Sequence, residues 1–225
     1  MVSKSSGLIF ENDKFIVAYK PAGESFHDEE IAGSGFFNQW KRAYQELYPV
    51  HRLDKMTSGL MLMAKDSNTA SQLSALFAER NVSKLYIALA CGKPKKKQGI
   101  IKGDMVKSRR GTFKLERTTN NPAITHFQSF SLEPGLRLYK LMPKTGKTHQ
   151  LRVAMNSLGT AILGDPNYSF TKTDSAIVDR GYLHAYQLAF TLDGHPYAFK
   201  ADLAMVDGEM FERHREAITE LIDPI

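Results

Sequence analysis

A single cysteine, Cys91, in a chain of 225 residues excludes an internal disulfide and any multi-cysteine zinc or iron–sulfur cage. Long apolar runs are missing as well. No stretch approaches the ~20 residues that a membrane helix needs, and residues 1–10 hold no apolar core of a signal peptide. Repeats, low-complexity tracts and linker-like segments are also lacking, so the expectation is one domain spanning residues 1–225. A chain of this length buries roughly 70–75% of its unfolded surface, so its core needs neither metal nor cross-link. The setting these absences point to is a reducing one: a cytoplasmic monomer that makes no use of a membrane.

Acidic residues are scarce in one region only. Thirty Lys and Arg against 24 Asp and Glu give a net charge of +6. From Arg80 to Arg117, however, twelve basic residues face only Asp104 and Glu116, a local net of +10 that leaves −4 for the rest of the chain. The last 25 residues are the acidic extreme. Lysines such as Lys95, Lys96 and Lys97 serve solubility in many loops. A basic stripe this long instead favours a surface for phosphates, since each neutralised phosphate releases counterions.

Apolar periodicity gives the elements. A hairpin is expected from Gly7–Phe10 and Lys14–Tyr19, and a short helix from Phe36 through Trp40 and Tyr44 to Leu47. A buried strand is expected over Gly59–Ala64 and a helix capped by Ser67. Strands follow at Leu85–Ala90, Phe113–Leu115, Ile124–Phe130 and Leu136–Leu141. A helix over Thr148–Leu158, strands over Tyr182–Leu192 and Tyr197–Lys200, and an acidic terminal helix over 209–222 complete the pattern. Strands outnumber helices without alternating regularly with them, which predicts an α+β fold with a large mixed, mainly antiparallel sheet flanked by helices. Cys91, Trp40, Phe36, Phe37 and the Met56, Met61, Met63 set read as packing residues.

Two polar clusters could carry chemistry. The first is His51-Arg52-Leu53-Asp54-Lys55-Met56-Thr57-Ser58-Gly59, a charged loop that feeds a buried strand. Ser58 with His51 and Asp54 supplies the residue types of a serine hydrolase, but Met56 stands where a nucleophile elbow needs glycine. His51 and Asp54 could join His149 or His184 on a metal, but neither a His-x-x-x-His spacing nor a carboxylate cluster supports it. Asp54 can also serve as a lone nucleophilic or basic carboxylate kept ionised by a cation from elsewhere. The second cluster is Lys144-Thr-Gly-Lys147-Thr148-His149-Gln150-Leu151-Arg152. Its Gly-Lys-Thr is not a P-loop, because Leu141 occupies the position of the first glycine. What remains is a glycine-bearing turn that opens a helix rich in donors, suited to an anion.

Taken together, these segments resemble the RluA-like pseudouridine synthases. His51-Arg52-Leu53-Asp54-x-x-Thr57-Ser58-Gly59 resembles the family's central motif. Glu11-Asn12-Asp13, Phe15-Ile16-Val17 and Lys20-Pro21-x-Gly23 resemble its opening hairpin, and Lys84-x-Tyr86-x-Ala88 its tyrosine-bearing strand. Gly146 to Val153, with Gly159 and Leu163-Gly164-Asp165-Pro166-x-x-Tyr168, resembles its arginine block, and Leu183-His184-Ala185 a late core strand. The resemblance spans roughly residues 8–200. Ala154, where the family often carries histidine, and Thr160-Ala161, in place of a common His-Pro, depart from it.

The resemblance implies a pseudouridine synthase fold with a central RNA-binding cleft, and a catalytic set of Asp54, Tyr86 and Arg152. Asp54 would detach uracil from its ribose, Tyr86 would stack on the target base, and Arg152 would pair with Asp54 and keep it charged. Arg52 would fill the space left by the flipped nucleotide, since the glycosidic bond is unreachable inside a stack. His51, Thr57, Lys84, Lys147, His149 and Gln150, with Lys95, Lys96, Lys97, Arg109 and Arg110 of the stripe, are the remaining RNA-binding candidates. No cofactor or metal is expected, because substrate and product are isomers. The partner is a structured ribosomal or transfer RNA. No separate S4-type RNA-binding domain is expected ahead of the first hairpin. A non-catalytic RNA-binding or ribosome-assembly protein that keeps the fold is the rival reading.

Overall fold

Apolar and β-branched residues recur in runs too short for helices, and the fold follows from them. The computed structural model describes residues 7–168 and 178–222, so the part of the leader reading that rests on residues 1–6 lies outside the described residues. In chain order the strands and helices are β1 (Leu8–Glu11), β2 (Phe15–Lys20), α1 (Phe36–Lys41), β3 (Tyr48–Pro49), β4 (Ser58–Ala64) and α2 (Ser67–Ala78). Then come β5 (Ser83–Cys91), β6 (Gln98–Gly103), β7 (Met105–Lys107), β8 (Phe113–Leu115), β9 (Ala123–Glu133) and β10 (Leu136–Pro143). The chain continues through α3 (Gln150–Ser157), β11 (Leu183–Leu192), β12 (His195–Lys200), α4 (Glu209–Arg213) and α5 (Arg215–Ile222). This is an α+β fold, a large and mostly antiparallel sheet flanked by a few helices.

The chain forms two compact units, one made of the residues up to Ser83 together with Ala185–Asp202, the other of Lys84–His184 and Leu203 onward. In the first, β1, β2 and β4 pair antiparallel, β3 adds to β4, and β12 pairs with β11. Every residue of β2 and β4 is buried, which is why both read as continuous apolar runs rather than alternating ones. Met56, Met61 and Met63 lie in this core, as the sequence suggested. Gly59 has φ +120°, and a Cβ there would lie 2.3 Å from the Ala185 carbonyl oxygen, so only glycine lets β4 approach β11 so closely. Asp66, not Ser67, caps α2: its carboxylate accepts the Thr69 N–H at 2.8 Å. The helix from Phe36 stops at Lys41, short of Tyr44 and Leu47.

In the second unit β5, β10, β9 and β6 pair antiparallel, with Tyr86 opposite Leu141. β7 and β8 form a two-stranded hairpin of their own. β6 and β7 were not anticipated; Gly99, Gly103 and interspersed lysines dilute the apolar alternation there. The acidic terminal helix expected over 209–222 is two helices, broken at His214, whose φ of −106° departs from helical geometry. Cys91, read as a core residue, is exposed where β5 ends. Among the described residues no helix is long and apolar enough to cross a membrane.

His184 on β11 is fully buried beside Phe211. Burial, and secondarily the nearby Arg180 cation, pushes its imidazole down to about 3. A folded-state pKa below the unfolded value of about 6.5 gives stability that is complete above pH 6.5 and is lost as pH falls toward 3. We expect the unfolding free energy to drop by about 2 kcal/mol from this group between pH 7.5 and pH 5. Urea denaturation at the two pH values checks this, and His184→Gln is expected to flatten the difference.

Candidate active site

The His51–Gly59 loop owes its shape to buried groups around it, all in the first unit. Pairing of β3 with β4 stops at Pro49 opposite Met63. The next donor along, the Leu62 N–H, is taken by His51 Nε2 at 2.9 Å. This requires the Nδ1–H form of the imidazole. The ring stacks on Phe77 of α2, with centroids 4.8 Å apart. Leu53 and Met56 are buried, and the Thr57 N–H donates to the Asp54 carbonyl at 3.0 Å, closing a turn over 54–57. The Lys20 ammonium, with the side chain 0% exposed, donates to the carbonyls of Thr57 (2.9 Å), Pro21 (2.9 Å) and Lys55 (3.3 Å). The Gly23 N–H donates to the same Lys55 carbonyl at 2.8 Å. Asp54 is thus the half-exposed first residue of a turn whose other members are anchored, and Arg52 is exposed two positions before it.

This arrangement gives two of the RNA-binding candidates a part in shaping the loop. Thr57, at 2% exposure, is buried within the turn. His51 is committed to a strand donor and an aromatic neighbour, which makes it a support for the loop. Lys20 stands out in the sequence only as part of a motif. Its signal, a lysine at the inner end of an apolar strand followed by Pro21, is weak because the same pattern also fits an exposed strand end.

In the second unit α3 begins at Gln150, preceded by His149 in a left-handed conformation with φ 58°. Gln150 likewise shapes the protein's own turn. It is 5% exposed, and its amide is engaged internally: the oxygen accepts from Thr145 Oγ1 at 2.7 Å and the Lys147 N–H at 3.0 Å, while the nitrogen donates to the Ile124 carbonyl and Thr125 Oγ1. It pins the Lys144–Lys147 turn to β9. His149 is half-buried, with Nδ1 3.2 Å from the Tyr168 hydroxyl, so its ring faces inward. Lys147 bonds the Asn121 carbonyl.

Arg152 is buried and forks onto Asp165, Nε to Oδ2 at 2.7 Å and Nη2 to Oδ1 at 2.8 Å. This bidentate geometry fixes the guanidinium plane. Asp165 is itself fixed, since its Oδ1 also accepts the N–H groups of Asn167 (2.9 Å) and Tyr168 (3.1 Å). Gly164 before it has φ +73°, and a Cβ there would lie 2.0 Å from the Arg180 carbonyl oxygen. The sequence reading missed Asp165 as a functional residue. An Asp-Pro dipeptide that caps its own turn was a usable signal, and a buried arginine demands an anion.

Tyr86 is half-buried on β5, where Lys84 precedes it by two. Burial, and then the like charge of Lys144, holds the Lys84 ammonium below the usual lysine range. The basic stripe falls on two places in this unit. Lys95, Lys96 and Lys97 are exposed in the turn before β6, and Arg109 and Arg110 are exposed at the tip of the β7–β8 hairpin. Among the described residues no three metal-ligating side chains cluster.

Residues 14–157 match the sequence profile of a family described as RNA pseudouridylate synthase. The chain belongs to the RNA pseudouridylate synthase family. Its members isomerise uridine to pseudouridine within RNA. An uncharacterized RNA pseudouridine synthase of Haemophilus influenzae is 48% identical over 184 residues, 81% of either chain. A dual-specificity RNA pseudouridine synthase RluA of Vibrio parahaemolyticus is 30% identical over 226 residues, covering 96% of this chain and 89% of that one. A large-subunit pseudouridine synthase C of Rickettsia typhi is 38% identical, and this synthase spans 55% of its length. Among solved structures, human RNA pseudouridylate synthase domain containing 4 superposes with a TM-score of 0.74 at 25% identity, covering 93% of this synthase and 92% of that chain.

In this synthase the Arg152–Asp165 pair sits in the interior, where removing one partner of an ion pair costs roughly 3–5 kcal/mol. Asp165→Ala is expected to lower the melting temperature by about 10 °C, given ~2–4 °C per kcal/mol at this chain length. Replacing both residues together, Arg152→Met with Asp165→Asn, which keeps an acceptor for the Asn167 and Tyr168 N–H groups, is expected to recover part of that loss in calorimetry.

Proposed function

We propose that this synthase isomerises specific uridines in structured ribosomal or transfer RNA, with Asp54 as the catalytic carboxylate. The observation that carries the reading is the anchored 54–57 turn, in which a buried ammonium and an imidazole hold the backbone while the Asp54 side chain keeps access to solvent. A residue held in this way is preorganised for a substrate delivered from outside. The target nucleotide leaves its stack. Asp54 promotes rupture of the bond between N1 and the ribose, the freed uracil turns, and a bond forms from its C5 to the same sugar carbon while C5 loses a proton and N1 takes one up. Tyr86 stacks on the base, and its hydroxyl assists proton transfer. Arg152 supplies a positive charge that Asp165 holds in a fixed orientation. Arg52 enters the space of the flipped nucleotide.

The substrate class rests on the names of the relatives, which include large-subunit ribosomal synthases and a dual-specificity synthase. Residues 1–225 act as one catalytic module, a cytoplasmic monomer that needs no metal or cofactor because substrate and product are isomers. Affinity for RNA comes from Lys95, Lys96, Lys97, Arg109 and Arg110, all exposed, with Lys84 and Lys147 nearer the α3 turn.

Tritium release from ribosomal and transfer RNA labelled at uridine C5 tests the chemistry. Wild type is expected to release the label and Asp54→Asn to be slower by roughly a thousandfold or more, within the range spanned by loss of a positioned catalytic group. Binding without release by wild type on either RNA would favour the non-catalytic reading. Salt titration tests the stripe. Neutralising Lys95, Lys96 and Lys97 is expected to flatten the dependence of log affinity on log salt by ~0.7 for each phosphate of a single strand that the protein ceases to neutralise.

A further inference from the structure

The β7–β8 hairpin is short, pairs with no other strand among the described residues, and carries Lys107, Arg109, Arg110 and Lys114. A two-stranded ribbon is marginal on its own in water, so what holds it matters. Its base is fixed by Asp104, whose carboxylate accepts the N–H groups of Asn120 (3.0 Å) and Asn121 (2.8 Å) and whose own backbone pairs with Glu116 and Thr118. Its tip end is held at Phe113, directly opposite Lys107, by a side chain from outside the hairpin. The Phe113 N–H donates to the Tyr168 hydroxyl at 2.8 Å.

Tyr168 is 6% exposed and touches the Arg152 site at two further points. Its backbone N–H donates to Asp165 Oδ1, the oxygen that also receives Arg152 Nη2. Its ring lies under the Arg152 guanidinium, 5.1 Å from centroid to Cζ. The same hydroxyl meets His149 Nδ1 at the start of the helix that carries Arg152, and His149 packs edge-on against Phe113 at 5.7 Å. One tyrosine therefore joins the hairpin, the carboxylate that orients Arg152, and the guanidinium itself.

We propose that Tyr168 is a positioning residue that ties the basic β7–β8 hairpin to Arg152, so that RNA seated on the hairpin raises the rate of isomerisation as well as the affinity. The inference rests on the roles proposed above for Arg152 and for Arg109 and Arg110. In the free protein the tip end of the hairpin is held by one neutral hydrogen bond to Tyr168 and by the edge-on packing of Phe113 on His149, contacts that fluctuate open at modest cost. Phosphates on Arg109 and Arg110 hold it closed, and the closed hairpin keeps the Tyr168 ring and backbone, and with them Asp165, in the arrangement that presents Arg152.

Tyr168→Phe deletes the hydroxyl and keeps the ring and the backbone N–H. Loss of the two hydrogen bonds of the hydroxyl, to the Phe113 N–H and to His149 Nδ1, is expected to move the melting temperature by no more than about 10 °C. Single-turnover tritium release from C5-labelled ribosomal and transfer RNA is then measured at saturating enzyme. The saturating rate is expected to fall roughly tenfold, within the range of coupling carried by such networks, with a severalfold rise in the concentration for half-maximal rate. In an Arg152→Met background the same substitution is expected to change the saturating rate less than twofold, because the route through Arg152 is already gone.

An unchanged saturating rate with weaker binding overturns the proposal and leaves Tyr168 a tether for affinity alone. A tenfold loss that persists without Arg152 overturns it too, since the hydroxyl then acts elsewhere. If Arg152→Met alone turns over as fast as wild type, the role of Arg152 fails and the proposal with it. Failure of wild type itself is the separate result that counts against the enzymatic reading.

Discussion

A lysine ammonium buried at the end of β2 sets the geometry on which the Asp54 loop depends. Removing a cation from water is expensive unless its protons are satisfied, and Lys20 meets that demand with the carbonyls of Pro21, Lys55 and Thr57. Glu24 is the nearby negative charge, its own carboxyl raised by burial but partly offset by Gln39 and by Lys20. The carbonyls of Lys55 and Thr57 converge with that of Pro21 on one point only if the chain just after Asp54 turns in a particular way. The loop therefore has little freedom, although it has almost no regular secondary structure. His51 adds a second constraint by filling the β4 donor that β3 leaves open.

The second unit solves a similar problem with opposite signs. Arg152 is also buried, and its charge is met by a carboxylate that is already engaged with two backbone donors. In both units the residue proposed to act is presented by a neighbour of complementary charge or polarity that is itself immobile. That is the arrangement expected when a reaction needs charge held in place before the substrate arrives.

The fold was legible where burial is continuous or alternation clean. β2, β4, β5, β9 and β10 stand out in the sequence because their side chains meet a core on one or both faces. β6 and β7 did not stand out, since glycine and lysine break their pattern and the pairing comes from β9 and β8 across the chain. At the site, residue types alone do not show which polar side chains also serve the fold. His51, Thr57 and Gln150 are polar members of conspicuous motifs, and polarity suggested contact with ligand. The side chains of His51 and Gln150 satisfy backbone groups of the protein itself, and Thr57 lies buried in the turn, placements that are invisible until the strands are set. Asp165 shows the converse: its pairing with Arg152 spans thirteen residues and a helix, and only the fold brings them together. The charge distribution read more faithfully, because exposed lysines and arginines need no tertiary partner to remain where the sequence suggests.

The hairpin tip has a further consequence. Arg110 takes a left-handed conformation with φ 54° and Gly111 follows with φ 73°, so the turn over residues 108–112 closes on itself through Ser108 and Thr112. Residues inserted there would lie outside the last pair, Lys107 with Phe113, and beyond the point where Tyr168 holds the strand. Doubling the length of such a loop costs only about 0.6 kcal/mol in closure entropy. The tip is thus a place where descendants of this sequence can gain or lose reach and charge in small steps, drifting toward new RNA shapes while the buried pairs that hold the reacting groups stay as they are.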